Sequence, residues 1–104
     1  MKVISITEYE VLFDNGHRIV HYHEQDCCEF NYADFTSLKD TTFETDEHAD
    51  IDLEEVINGV RINGHFVPCY SVQNGYYSDD VSIQVVSNDG VVIKEIVGYG
   101  ELID

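Results

Sequence analysis

Apolar and polar residues alternate with a period of two along most of this chain, and turn-forming residues break the alternation at intervals. Such alternation places successive side chains on opposite faces of an extended strand. "YEVLF-DNG-HRIVHYH", from Tyr9 to His23, reads as strand, turn and strand. The pattern recurs in "VRI-NG-HFV", "VPCYSVQ-NG-YYSDDVSIQVV" and "VSIQVVS-NDG-VVIKEIV". Asn-Gly and Asp-Gly favour hairpins because both residues tolerate positive φ. Four such signals predict a mainly β fold in a single domain over residues 1–104. The expected form is an antiparallel sheet or meander of about seven strands, sandwich- or barrel-like.

The alternation also assigns faces. Ile19 shares one face with His17, His21 and His23, while Arg18, Val20 and Tyr22 share the other, so this strand is expected to be covered on both sides. Val81, Ile83 and Val85 oppose Ser82 and Gln84, and with Ile19 and Val67 they are expected in the core. The segment "VVIKEIV" alternates less cleanly. Pro68 lacks a ladder donor, which predicts an edge strand or a bulge there.

Residues 31–39 break the period. Tyr32, Phe35 and Leu38 lie three apart and Asn31 is a cap-forming residue, which predicts one short helix. Residues 40–55, "DTTFETDEHADIDLEE", then carry eight acids and no lysine or arginine. Phe43, Ile51 and Leu53 are its apolar members, so an exposed loop or acidic lip with short strands at its ends is expected.

Charge changes the picture most. Twenty-one acids face five bases, giving a formal net charge of −16. A phosphate backbone or an anionic membrane surface is repelled, which argues against direct nucleic-acid or membrane binding. A basic protein partner fits, as does a purely solubilising role for the charge. The chain shows neither a basic leader followed by an apolar run nor a stretch of about 20 apolar residues, so a cytoplasmic protein is expected. Cys27, Cys28 and Cys69 are an odd set containing a vicinal pair, which suits three reduced thiols.

Candidate chemistry concentrates in "HYHEQDCCEF", residues 21 to 30. Two imidazoles two apart on a strand project from one face, so His21 and His23, with Asp26, Cys27 and Glu29, form a candidate metal set. Thiolate and imidazole donors favour zinc over magnesium or calcium. The same residues also suit an ordinary strand and turn with cysteines packed as small hydrophobes. A cysteine–histidine nucleophile is opposed by Glu24, Asp26 and Glu29, whose charges disfavour a thiolate. No catalytic residue is assigned. The acidic run lacks the glycine of a calcium-binding loop. "NGYYS", residues 74 to 78, is either a hairpin turn or a tyrosine-lined recognition patch.

The segments "HEQDCCE" (His23, Asp26, Cys27, Cys28 and Glu29) and "NGYYS" (Asn74, Gly75, Tyr76, Tyr77 and Ser78) together resemble a family of small, uncharacterised bacterial and bacteriophage proteins. The resemblance runs from about Val11 to Val86 and excludes the acidic segment and the tail. It implies a bacterial or phage context and two motifs that belong to one unit, and it supplies no reaction and no ligand. The leading expectation is therefore a small, acidic, non-enzymatic interaction protein without a cofactor, binding a basic partner. Asp46, Glu47, Asp50, Asp52, Tyr76 and Tyr77 are the candidate binding residues. The alternative is a zinc-binding domain centred on the histidine and cysteine segment.

Overall fold

Among the described residues the chain forms ten strands, and turn chemistry sets most of their boundaries. A computed structural model describes every residue except 25–28, 74, 76 and 104. The strands are β1 (Val3–Ile6), β2 (Glu10–Phe13), β3 (Arg18–Tyr22), β4 (Phe30–Ala33) and β5 (Leu53–Val56), then β6 (Gly59–Ile62), β7 (His65–Val72), β8 (Asp80–Val86), β9 (Val92–Tyr99) and β10 (Glu101–Ile103). The first sheet has the order β1-β2-β3-β8-β9, with every neighbour antiparallel. In the second sheet the order is β10-β7-β6-β5, with β4 also paired to β7. β10 joins β7 in parallel.

The core lies between the sheets. Val11, Phe13, Ile19, Val81, Ile83 and Val85 come from the first sheet, and Val60, Ile62, Val67 and Cys69 from the second; all are fully buried. The five residues expected in the core are among them. Phe43 and Ile51 tie the acidic segment to this core, at 2% and 0% exposure, and the Phe43 ring lies 5.1 Å from that of Phe13.

Four local expectations need correction. The mainly β class holds, but with ten strands instead of about seven. The short helix expected over residues 31–39 is only a single 3-10 turn, Phe35–Leu38, because Asn31 belongs to β4 and Asp34 supplies the cap to Thr36 N. The "QNGYYS" turn does not close a hairpin: β7 and β8 lie in different sheets, and the chain crosses between layers there. The hairpin before it is β6–β7, turning at Asn63 and Gly64, whose φ values are 50° and 85°. Pro68 lies inside an eight-residue strand and not at a sheet edge. There β4 joins β7 on the side opposite β6: β6 pairs as far as Pro68 and β4 pairs from Cys69 onward. The missing N–H falls at that junction, where the Pro68 carbonyl accepts from Asp34 N at 2.9 Å.

A second crossing joins β9 to β10. A side chain at Gly98 would stand 2.7 Å from Val60 Cγ1, and one at Gly100 would stand 2.7 Å from the Tyr70 carbonyl carbon. Only glycine lets the backbone pass this close to the second sheet.

Candidate functional site

The β7–β8 crossing, the start of β4 and the described residues His23 and Glu29 meet at a buried polar cluster. β4 carries Asn31 inward at 1% exposure. β7 carries Ser71 and the residue just past its end, Gln73, to the same place, at 0% and 6%. Asn31 Nδ2 donates to the carbonyls of Ser78 (2.8 Å) and Asp80 (3.1 Å). Asn31 Oδ1 accepts from Ser71 Oγ, and Ser71 Oγ accepts from Gln73 Nε2, both at 2.5 Å. Gln73 also accepts from Tyr77 N at 2.7 Å and donates to the Ser78 carbonyl at 3.1 Å. Each bond replaces one that water would make, which is what permits so many polar atoms in the interior.

His23 and Glu29 complete this cluster. Their side chains are 6% and 3% exposed, and Nε2 of His23 lies 2.8 Å from Oε1 of Glu29. Asn31 Nδ2 has two protons and two carbonyls to receive them, so the Nε2 proton of His23 goes to Glu29. The other ring nitrogen faces Asp80 Oδ1 at 3.7 Å. The described members of the two sequence motifs, His23 and Glu29 from one and Tyr77 and Ser78 from the other, thus meet at Asn31 and Gln73, with Asn31 Nδ2 3.2 Å from His23 Nε2.

His21 and His23 do not share a site. His21 Nε2 donates to the Glu8 carbonyl at 2.5 Å, and its ring packs against Tyr9 and Phe35 at 5.8 and 5.5 Å. Of the candidate metal set, the structure brings His23 and Glu29 together and leaves His21 with other partners. Asp26 and Cys27 lie outside the described residues, as does Cys28. Among the described residues, no three histidine, cysteine or carboxylate side chains are grouped to hold a metal ion.

Burial lowers the His21 pKa from its ordinary value, outweighing the Glu8 hydrogen bond, which acts to raise it. The imidazole is thus harder to protonate in the folded state than in the unfolded chain. Stability from this group is present above about pH 6.5 and is lost as pH falls below that value through the folded pKa. A His21→Phe variant is expected to lose less stability between pH 7 and pH 5 than the wild type, read by urea unfolding at each pH. Equal losses would show that His21 does not titrate in that window.

Cys69 is a free thiol in β7, fully buried, and burial pushes its pKa up to about 12. A protonated, inaccessible thiol is neither a nucleophile nor a ready metal ligand. Cys69 is expected to resist iodoacetamide at pH 8 in the folded protein and to react fully in denaturant, read by mass spectrometry of its peptide. Rapid native labelling would show that β7 opens locally.

The acidic candidates are arranged differently. All eight acids of residues 40–55 are exposed. Asp46 Oδ1 pairs with the Met1 ammonium at 3.0 Å, and Glu54 pairs with Arg61 at 3.3 Å. The other six have no ion pair among the described residues. Glu47 and Asp50 belong to a 3-10 turn, His48–Asp50, with its Glu47 cap. The Asp52 backbone N–H donates to Asn63 Oδ1 at 3.3 Å, and its carbonyl accepts from Asn63 N at 2.8 Å. Tyr77 is half-buried beside Gln73, and Tyr76 lies outside the described residues.

Of the cluster residues, the sequence marked Asn31 only as a helix cap and did not single out Ser71, Gln73 or Asp80. Ser71 and Gln73 did carry a signal: they continue the inward parity of Val67 and Cys69, so the alternation places polar groups at core positions. No protein-family model, no curated protein and no solved structure matches the chain. Among the described residues, no helix is long and apolar enough to cross a membrane.

Proposed function

We propose that this is a non-enzymatic interaction domain whose acidic segment, residues 40–55, binds a protein with a basic surface. The carrying observation is that eight acids stand exposed on backbone held by buried Phe43 and Ile51, six of them without an ion pair among the described residues. Like charges crowded together oppose compaction, and a basic partner converts that repulsion into attraction. One concrete form is a cytoplasmic decoy, in which Asp46, Glu47, Asp50 and Asp52 take the place of phosphates in the groove of a nucleic-acid-binding protein. The resemblance of the two motifs supports a bacterial or phage setting for this role.

The test is a pull-down from bacterial lysate at low and high salt. It uses the wild type and a variant with Asp46→Asn, Glu47→Gln, Asp50→Asn and Asp52→Asn together. Loss of partners at high salt and in the variant is expected, because exposed charges are screened beyond ~8 Å at physiological ionic strength. The same partners retained by the variant at the same salt would reduce the acids to a solvated face.

A further inference from the structure

A cleft of about 600 Å³ opens between the β1–β2 turn and the strand and turn formed by β4 and Phe35–Leu38. Its volume suits a side chain or small ligand. Ala33 and Phe35, each 2% exposed, contribute buried apolar surface to its lining, and Phe30, Tyr32 and Val72 add exposed or half-buried surface. Phe30 is 43% exposed and Val72 38%, although they oppose each other in register across β4 and β7. Apolar surface left open within a polar frame marks a contact site more often than a packing fault.

The rings are ordered. Tyr32 lies between Phe30 and Tyr70, with ring centroids 5.3 and 5.4 Å away. Strand pairing fixes that row, since Tyr32 directly opposes Tyr70. Glu8 and Asp34 bring carboxylates to the cleft, and among the described residues no lysine or arginine lines it. Asp34 is held in place by Thr36, whose backbone N–H and hydroxyl donate to Oδ1 at 3.0 and 2.7 Å.

We propose that this cleft anchors an arginine side chain of the basic partner, a step that rests on the interaction role proposed above. Aromatic faces attract a cation within about 6 Å of the ring centroid. A guanidinium is planar and weakly hydrated, so it stacks on tyrosine or phenylalanine while its edge donates to a carboxylate. The two acids reject a phosphate or carboxylate ligand by like charge. A wholly apolar ligand would strip water from them without replacing its hydrogen bonds. The acidic segment then attracts the partner at long range, and the cleft fixes one side chain at short range.

The probe is an acetylated, amidated hexapeptide of alternating glycine and arginine, titrated into the isotope-labelled full chain and followed by amide chemical shifts. Its citrulline counterpart keeps the shape and removes the charge. Shifts are expected at Thr7–Glu8 and Phe30–Thr36. Tyr32→Leu, which keeps an apolar residue and removes the ring, should weaken binding roughly tenfold, and its own spectrum reports whether the fold is kept. Glu8→Gln should weaken binding as well and leaves the buried core untouched. Equal binding of the citrulline peptide overturns the arginine assignment. Shifts confined to residues 44–52 overturn the cleft and leave the acidic-segment role standing. Shifts confined to the cleft, unchanged in the four-acid variant, support the cleft and overturn that role. No shifts anywhere overturn both.

Discussion

Replacing Asn31 with leucine is expected to destabilise the protein by about 2–4 kcal/mol, because it takes the side-chain donor from one part-buried carbonyl, leaves a second with Gln73 alone, and removes the acceptor of a third bond. The carbonyls belong to Ser78 and Asp80, and the third bond comes from Ser71. Leucine matches asparagine in size and adds apolar surface, which offsets only part of the loss. Domains of this size are stable by about 5–15 kcal/mol, so the loss takes a large share. The midpoint of thermal unfolding should fall by roughly 10 °C or more. Ser71→Ala removes two bonds within the cluster, to Asn31 and from Gln73, but both partners keep other hydrogen bonds, so it should cost about 1–2 kcal/mol. Urea unfolding of the three proteins checks the ranking. A near-neutral Asn31→Leu would mean that water reaches the Ser78 and Asp80 carbonyls.

The size of that effect follows from where Asn31 sits. It stands in β4 of the second sheet, while Asp80 opens β8 of the first. One side chain therefore ties the two layers together at a place where the backbone ladder does not cross. Gln73 does the same for the chain between β7 and β8, taking Tyr77 N as its donor and Ser78 O as its acceptor. Polar bonds stand here in place of the apolar contacts that join the sheets elsewhere.

What the sequence revealed depended on the range of the interaction. Turns are local, and the positive-φ glycines Gly16, Gly64 and Gly90 fall where the Asn-Gly and Asp-Gly signals predicted. Gly75 is also positive in φ, at 94°, yet its turn leads from one sheet to the other. Turn chemistry fixes a bend and not the partner of the strand that follows. Asn31 misled for a similar reason. Asparagine is both a helix cap and a buried hydrogen-bonding group, and only the carbonyls of residues 47 and 49 positions away decide between them.

The candidate site was legible in part. His23 and Glu29 were named together and do meet, six residues apart, because the ends of β3 and β4 bring them back toward each other. His21 was paired with His23 on strand parity alone. The parity holds as far as His21, which faces inward at 9% exposure, but β3 ends at Tyr22. Past that point the alternation no longer governs where a side chain goes. The aromatic cleft was not legible, because Phe30 and Tyr32 become neighbours of Val72 and Tyr70 only through pairing across some forty residues.

Ile83→Ala is expected to cost about 2–5 kcal/mol, and Ile93→Ala well under 1 kcal/mol, although both replace isoleucine in the β8–β9 hairpin. Ile83 is fully buried, opposite His21 on one side and Ile96 on the other. Truncating it leaves a void that two flanking strands prevent from closing. Ile93 is 40% exposed. Val85 pairs with Lys94 and Val86 with Val92, so Ile93 is the extra residue of a bulge and opposes nothing in β8. The bulge resets the parity of β9: beyond it Lys94 and Ile96 turn inward, while Glu95, Val97 and Tyr99 stay exposed. This is why "VVIKEIV" alternates poorly in sequence while "VSIQVV" alternates well. Unfolding free energies of the two variants measured side by side test both statements. Equal costs would mean that Ile93 is packed and that β9 runs without the bulge.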